Sequence, residues 1–244
     1  MMPLHRKLSR RGFIYAAAGA GLGLAGLSAT SGNAEQRGRE LGIPLPAPAL
    51  AGAMSVEAAI QGRRSERGFL PAPLTMGQLS QLLWAAQGIT DPHPDPVQRF
   101  LRAAPSAGAQ YPLELYVAAG LVEGLAAGVY HYRPPEHEVG LHLTGDLRQP
   151  LARACLGQMF MAPAAVLIVI TAEYGRITGR YGERGIRYAH MEVGHVGQNL
   201  HLQAEALGLG TVVIGAFRDD EVAEVLQLPH GLEPLYVMPV GRVN

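Results

Sequence analysis

The sequence predicts an α+β fold in which one mixed sheet is covered by helices. Three observations carry this. A run of six apolar residues, Ala165 to Ile170, has the length and branching of a strand buried on both faces. Val129–Tyr132 and Leu141–Leu143, with Pro134-Pro135 between them, form a hairpin. A long proline-free stretch from Arg187 to Leu207 carries a broad apolar surface and runs into the β-branched segment Thr211–Ile214. Strands and helices interleave without any repeat, so one domain accounts for the folded part.

The chain begins with a basic head, Arg6, Lys7, Arg10 and Arg11, followed by an uncharged run from Gly12 to Ala29. The segment Ser9–Ile14 resembles a twin-arginine export signal. Gly32-Asn33-Ala34 offers the small residues that signal cleavage needs. Residues 1–34 are therefore expected to be removed on export to the periplasm; anchoring in the membrane by an uncleaved N-terminus is the alternative. Residues 35–53, rich in proline, glycine and alanine, read as a flexible lead-in, and 54–244 as the folded domain.

Ser55 caps a short helix, VEAAIQ, and Thr75 caps MGQLSQLLWAAQ, which stops at Gly88. A long proline-bearing loop occupies 90–104. Leu113–Val117 alternates as a strand, and Leu147–Leu156 reads as a helix. Tyr174–Gly185 is polar and glycine-rich and reads as a connection. In the long helix, Gly194 and Gly197 leave one side almost bare, so another backbone can approach. Gly208 and Gly210 end that helix, and Gly215-Ala216 end the strand that follows. Asp219 caps the helix EVAEVLQL, and Leu235–Val240 is the last strand.

Composition excludes several chemistries. With 244 residues, 48% of them hydrophobic, the chain can bury a core. Its formal charge of zero gives no basic excess for nucleic acid. The single cysteine, Cys155, excludes an internal disulfide and a CxxC metal site. The single lysine, Lys7, falls in the export segment, so the mature chain has no Schiff-base, pyridoxal or P-loop lysine.

Several motifs have both a chemical and an ordinary reading. In an extended chain Arg63, Ser65 and Arg67 point the same way, and two guanidinium groups with a hydroxyl suit a phosphate. A solvated basic turn is the ordinary reading. Ala104-Pro105-Ser106-Ala107-Gly108 approaches the G-x-S-x-G elbow of serine hydrolases, but a loop precedes it and Pro112 follows, so a tight turn competes with a nucleophilic Ser106. Glu192 and His195 make an E-x-x-H with no second copy for a di-metal site. The glycines after the long helix come in the wrong order for a dinucleotide fingerprint.

Six blocks, RRSERGF, LSQLLWAAQGIT, PSAGAQYPLELYV, GVYHY, RYGERGIRYAHMEVGHVGQNLHLQAEALGLGTVVIGAF and EPLYVMPVG, occur in this order from Ile60 to Gly241. Together they resemble the flavin-dependent nitroreductase family, in its SagB-type dehydrogenase or thiazole/oxazole oxidase branch. The resemblance implies a mixed, largely antiparallel sheet flanked by helices, and a homodimer whose interface the long helix builds. It implies FMN at that interface and two-electron transfer through flavin N5 to a small-molecule or peptide substrate. By the same resemblance Arg63, Arg64, Ser65 and Arg67, with Arg242, would hold the phosphate and ribityl chain. Pro105, Ser106, Ala107 and Gly108 would wall one side of the flavin. Val213, Ile214, Gly215 and Ala216 would run past the ring, with the Gly215 amide near N5 as the catalytic contact. The branch's azoline oxidases carry a Lys-Tyr pair; the match here is Arg180-Tyr181, and arginine cannot act as a base. The substrate is thus open, and a non-catalytic flavin- or partner-binding relative is the alternative from another class.

Overall fold

The computed structural model describes residues 42–91 and 100–244, so the expected export segment lies outside the described residues. Among the described residues no helix is long and apolar enough to cross a membrane. The strands are β1 (Ile43–Pro44), β2 (Ile89–Asp91), β3 (Leu101–Arg102), β4 (Leu113–Ala119), β5 (Gly128–Arg133), β6 (Glu138–Thr144), β7 (Val166–Glu173), β8 (Gly210–Thr211) and β9 (Leu232–Gly241). The helices are α1 (Val56–Gly62), α2 (Met76–Gln87), α3 (Arg148–Ala154), α4 (Tyr174–Tyr181), α5 (Arg184–Ala206) and α6 (Asp219–Leu226).

Seven strands form one sheet in the order β1-β6-β5-β4-β7-β9-β8, and every pair in it is antiparallel. β7 is central and buried from Val166 to Ala172, as its unbroken apolar run demands. Side chains alternate between two cores. Leu115, Val117, Ile168, Ile170 and Met238 face α2 and α5. Tyr116, Ala118, Leu167, Val169 and Val237 face α3 and α6. This is the layered α+β architecture expected of strands interleaved with helices.

α2 shows how local chemistry sets an element. Thr75 Oγ1 accepts from the Gln78 amide at 3.1 Å, while Gln78 Oε1 accepts from the Thr75 amide at 3.0 Å, a reciprocal cap that satisfies two otherwise orphaned donors. Leu79, Leu82 and Leu83 are fully buried, each stabilising the fold by about 1.5–3 kcal/mol. Thr75→Ala is expected to lower unfolding free energy by about 1 kcal/mol in urea titration, with the slope unchanged.

Four expectations need correction. Tyr174–Tyr181 is helix α4, not a connection. Its glycines are at work beyond its end: Gly182, at φ 58° and ψ −152°, takes a backbone conformation only glycine tolerates, and this reverses the chain into α5. The strand expected over Thr211–Ile214 joins the sheet only at Gly210–Thr211 and at an isolated bridge from Ile214 to Val237, because Val212 and Val213 leave the ladder. Residues 43–44 of the lead-in pair with β6 as an edge strand. Asp219 is the first residue of α6 and makes no side-chain cap; with Asp220 and Glu221 it places negative charge at the helix N-terminus.

Candidate functional site

One sheet edge gathers three sequence-distant segments. Ser65 bridges Thr211 in parallel, and the Glu66 amide donates to the Thr211 carbonyl at 2.9 Å. The Leu70 amide donates to the Arg242 carbonyl at 2.9 Å, and Phe69 pairs with Val243. A side chain at Gly210 would collide with Val243 and Glu66, so glycine is what lets these backbones meet. Arg63, Arg67 and Arg242 therefore come to one edge, and none makes an ion pair with a described residue. Arg63 lies near His201 of α5; burial and this neighbour push the imidazole below its usual range, so it stays neutral. Arg67 rests over the Phe160 ring at 6.0 Å. Beneath them Thr211 Oγ1 is buried without a hydrogen-bond partner. Three uncompensated cations beside an orphaned hydroxyl fit an oxygen-rich anionic ligand. Arg64 is different: its Nη1 donates to the carbonyls of Gln61, Gly62 and Arg63 at 2.8, 2.7 and 3.0 Å, so it caps its own helix.

Next along the chain, Val212 and Ile214 are buried while Gly215 and Ala216 are exposed. The Ala216 carbonyl accepts from Gln158 Nε2 at 2.9 Å, whereas the Gly215 amide donates to no described residue. Gly197 allows Tyr236 and Val213 to lie against the α5 backbone. Gly194, by contrast, opens onto free space.

Ala107–Ala109 forms a short 3-10 turn preceded by Ser106, not a strand-to-helix elbow. Ser106 Oγ accepts from the Tyr111 amide at 2.9 Å, and no histidine among the described residues is hydrogen-bonded to it. Gly108, Ala109 and Tyr111 have φ of 57°, 50° and 48°. Two non-glycine residues held left-handed within one short turn store strain, which clusters at functional sites. Tyr181 and Arg180 lie directly over Gly108, where any side chain would strike them.

Behind this turn sits a group that the motifs did not disclose. Glu192 of α5 is buried; Ser106 and Gln87 lie close to its carboxylate, but neither oxygen makes a well-formed hydrogen bond to a described residue. Burial raises its pKa to about 7, against the pull of Ser106, Gln87 and Arg102. Gln87 Nε2 is likewise buried without a partner, while its Oε1 accepts from Arg102 Nη1 at 3.1 Å. Read as half of a metal motif, Glu192 finds no support: among the described residues no group of His, Cys, Asp or Glu could hold a metal. Its burial was legible in principle, since it lies one turn from buried Val196 on an otherwise apolar side.

The two halves of the expected cofactor site lie on different flanks of α5. Ser106 packs at Glu192, on the flank where Asn199 Nδ2 donates to the Ala85 and Ala103 carbonyls at 3.0 and 3.3 Å. Val213 and Tyr236 pack at Gly197, on the other flank. Arg63 meets α5 at His201, nine residues or about 13 Å of helix rise beyond Glu192. The exposed stripe Met191, Gly194, His195 and Gln198 runs between them.

Comparison with known proteins agrees with this architecture. The nitroreductase-family model matches residues 60–242. A nitroreductase-like protein of Methanocaldococcus jannaschii, MJ1384, is 48% identical over 180 residues, covering 74% of this chain and 87% of that protein. The microcin B17-processing protein McbC of Escherichia coli is 31% identical over 179 residues, covering 70% of this chain and 63% of McbC. The crystal structure of a nitroreductase-like protein from Ralstonia eutropha superposes with a TM-score of 0.71 at 30% identity, over 84% of this chain and 90% of that one. With the sheet, the flanking helices and the ordered blocks in agreement, the chain belongs to the nitroreductase family, whose members are generally flavin-dependent oxidoreductases.

Proposed function

We propose that this chain is an FMN-dependent oxidoreductase of the SagB-type branch, acting as a homodimer in two-electron transfer to a small-molecule or peptide substrate. One observation carries the reading: three unpaired guanidiniums and an orphaned buried hydroxyl share a sheet edge with Val213–Ala216, where the Gly215 amide is free to donate. FMN, when bound, supplies the redox chemistry, and the protein contributes binding, orientation and exclusion of water. Arg63, Arg67 and Arg242 would neutralise the phosphate, and Ser65 and Thr211 would take ribityl or phosphate oxygens. The Gly215 amide would donate at N5 and stabilise charge there without an acid or base side chain. Pro105–Gly108 would close the opposite side.

The two flanks of α5 support the homodimer. A second copy packed along Met191, Gly194, His195 and Gln198 could bring its Ser106 turn to the first copy's arginine edge, which one chain alone holds on separate flanks. The similarity to McbC supports the branch, and Arg180 at the position of the branch's lysine argues against azoline oxidation. The twin-arginine-like segment supports a periplasmic location for the mature enzyme.

Purified mature protein is expected to be yellow, with flavin absorbance and about one FMN per chain released on denaturation, identified by mass. Colourless protein that also refuses added FMN would make it a non-catalytic relative that binds a partner.

A further inference from the structure

A cavity of about 640 Å³ opens beside the Pro105–Gly108 turn. Arg102, Ser106, Tyr111 and Arg180 contribute its polar wall, and its lining among the described residues contains no carboxylate. The two arginines reach it from separate elements, β3 and α4. Arg102 spends one N–H on Gln87 Oε1 and lies over the Tyr111 ring at 4.6 Å, a stacking that fixes the guanidinium plane. Arg180 lies over the Tyr181 ring at 5.4 Å and makes no ion pair with a described residue. The nearby arginine that does pair, Arg176, is bound to Glu114 at 2.5 Å and Glu173 at 2.6 Å, and it does not line the cavity. Beside the cavity Arg176 is paired, whereas inside it Arg180 has no ion-pair partner among the described residues and Arg102, which feels the Glu114 and Glu192 carboxylates, makes no direct ion pair with a described residue. The volume is that of a small-molecule site, and the strained Ala109 and Tyr111 form part of the wall.

We infer that this cavity selects a small substrate bearing a carboxylate, gripped by Arg180 and oriented by the stacked guanidinium of Arg102. The inference rests on the oxidoreductase reading, because the cavity shares Pro105, Ser106 and Gly108 with the wall proposed for the flavin. Arginine at position 180 is then a substrate anchor that cannot serve as a base, and its planar fork suits a carboxylate.

The test is calorimetric binding of two near-isosteres, 4-nitrobenzoate and 4-nitrobenzamide, to the purified full-length mature protein, with flavin content measured first from absorbance. The acid is expected to bind about tenfold tighter than the amide at neutral pH, as one charge-assisted pair provides. Arg180→Gln should abolish that preference while leaving amide binding and flavin content unchanged. Arg180 is exposed, so this variant is expected to fold; Arg180→Lys should restore part of the preference. Equal affinity for acid and amide, an undiminished preference in Arg180→Gln, or no binding of either probe to flavin-loaded protein would each overturn the inference. Absence of flavin with the acid preference intact would instead sink the oxidoreductase reading and leave the carboxylate site standing.

Discussion

The Arg63→Ala/Arg67→Ala double variant is expected to purify without flavin and to take up added FMN at least a hundredfold more weakly than the wild type. Each guanidinium–phosphate contact contributes about 1.5–3 kcal/mol, so losing two costs on the order of 3–6 kcal/mol, and the partial exposure of both side chains favours the lower end. The fold should survive. Neither arginine makes an ion pair with a described residue, and Arg67 gives up only its contact with Phe160, about 0.5–1 kcal/mol. Circular dichroism and the unfolding midpoint should therefore stay close to wild type while the absorbance of bound flavin disappears. Arg64→Ala is the internal control. Its side chain is engaged with the carbonyls at the end of α1, so this variant should lose a little stability and keep its flavin. Retention of flavin by the double variant would move the phosphate site away from this edge. Equal losses from all three substitutions would mean that the segment acts as a structural unit and not through its charges.

Arg64 also marks where sequence reasoning about the site stops. The spacing of Arg63, Ser65 and Arg67 points to a clamp because a period of two holds wherever the backbone is extended, and Ser65 is held extended by its bridge to Thr211. Nothing in the string distinguishes an arginine that faces a ligand from its neighbour that turns back onto the helix end. The same limit explains the elements. α2 and β7 could be read to within a few residues because a capping box and an unbroken apolar run are local signals. α4 could not, since its two glycines and scattered charges resemble a loop; what makes it helical is its packing on α5, where Gly185 brings its backbone against Ile177. Thr211–Ile214 had the composition of a strand, yet only its first residue joins the β8–β9 ladder. Glu192 was visible, but its environment was not. Gln87, Arg102 and Ser106 lie 86 to 105 residues before Glu192 in the chain, and only the fold closes them around its carboxylate.

Replacing that carboxylate should change stability in a defined pH window. Burial raises the Glu192 carboxyl to about 7 from an ordinary 4.5, so the folded state holds its proton where the unfolded chain releases it. Below about pH 4.5 both states are protonated and the group costs nothing. Between pH 4.5 and 7 the unfolded state gains by ionising while the folded state does not, and stability falls with rising pH. Above pH 7 the full penalty applies, about 3 kcal/mol from 1.36 kcal/mol per unit. Glu192→Gln is neutral at every pH, so it should match the wild type near pH 4 and exceed it by up to about 3 kcal/mol at pH 8. Urea titrations across this range read the difference directly, and a constant offset between the two proteins would show that Glu192 is paired in the folded state. A protein that keeps such a costly acid beside the Ser106 turn does so against its own stability, and a proton held at about neutral pH next to Ser106 and Arg102 is the kind of group whose retention function explains better than folding does.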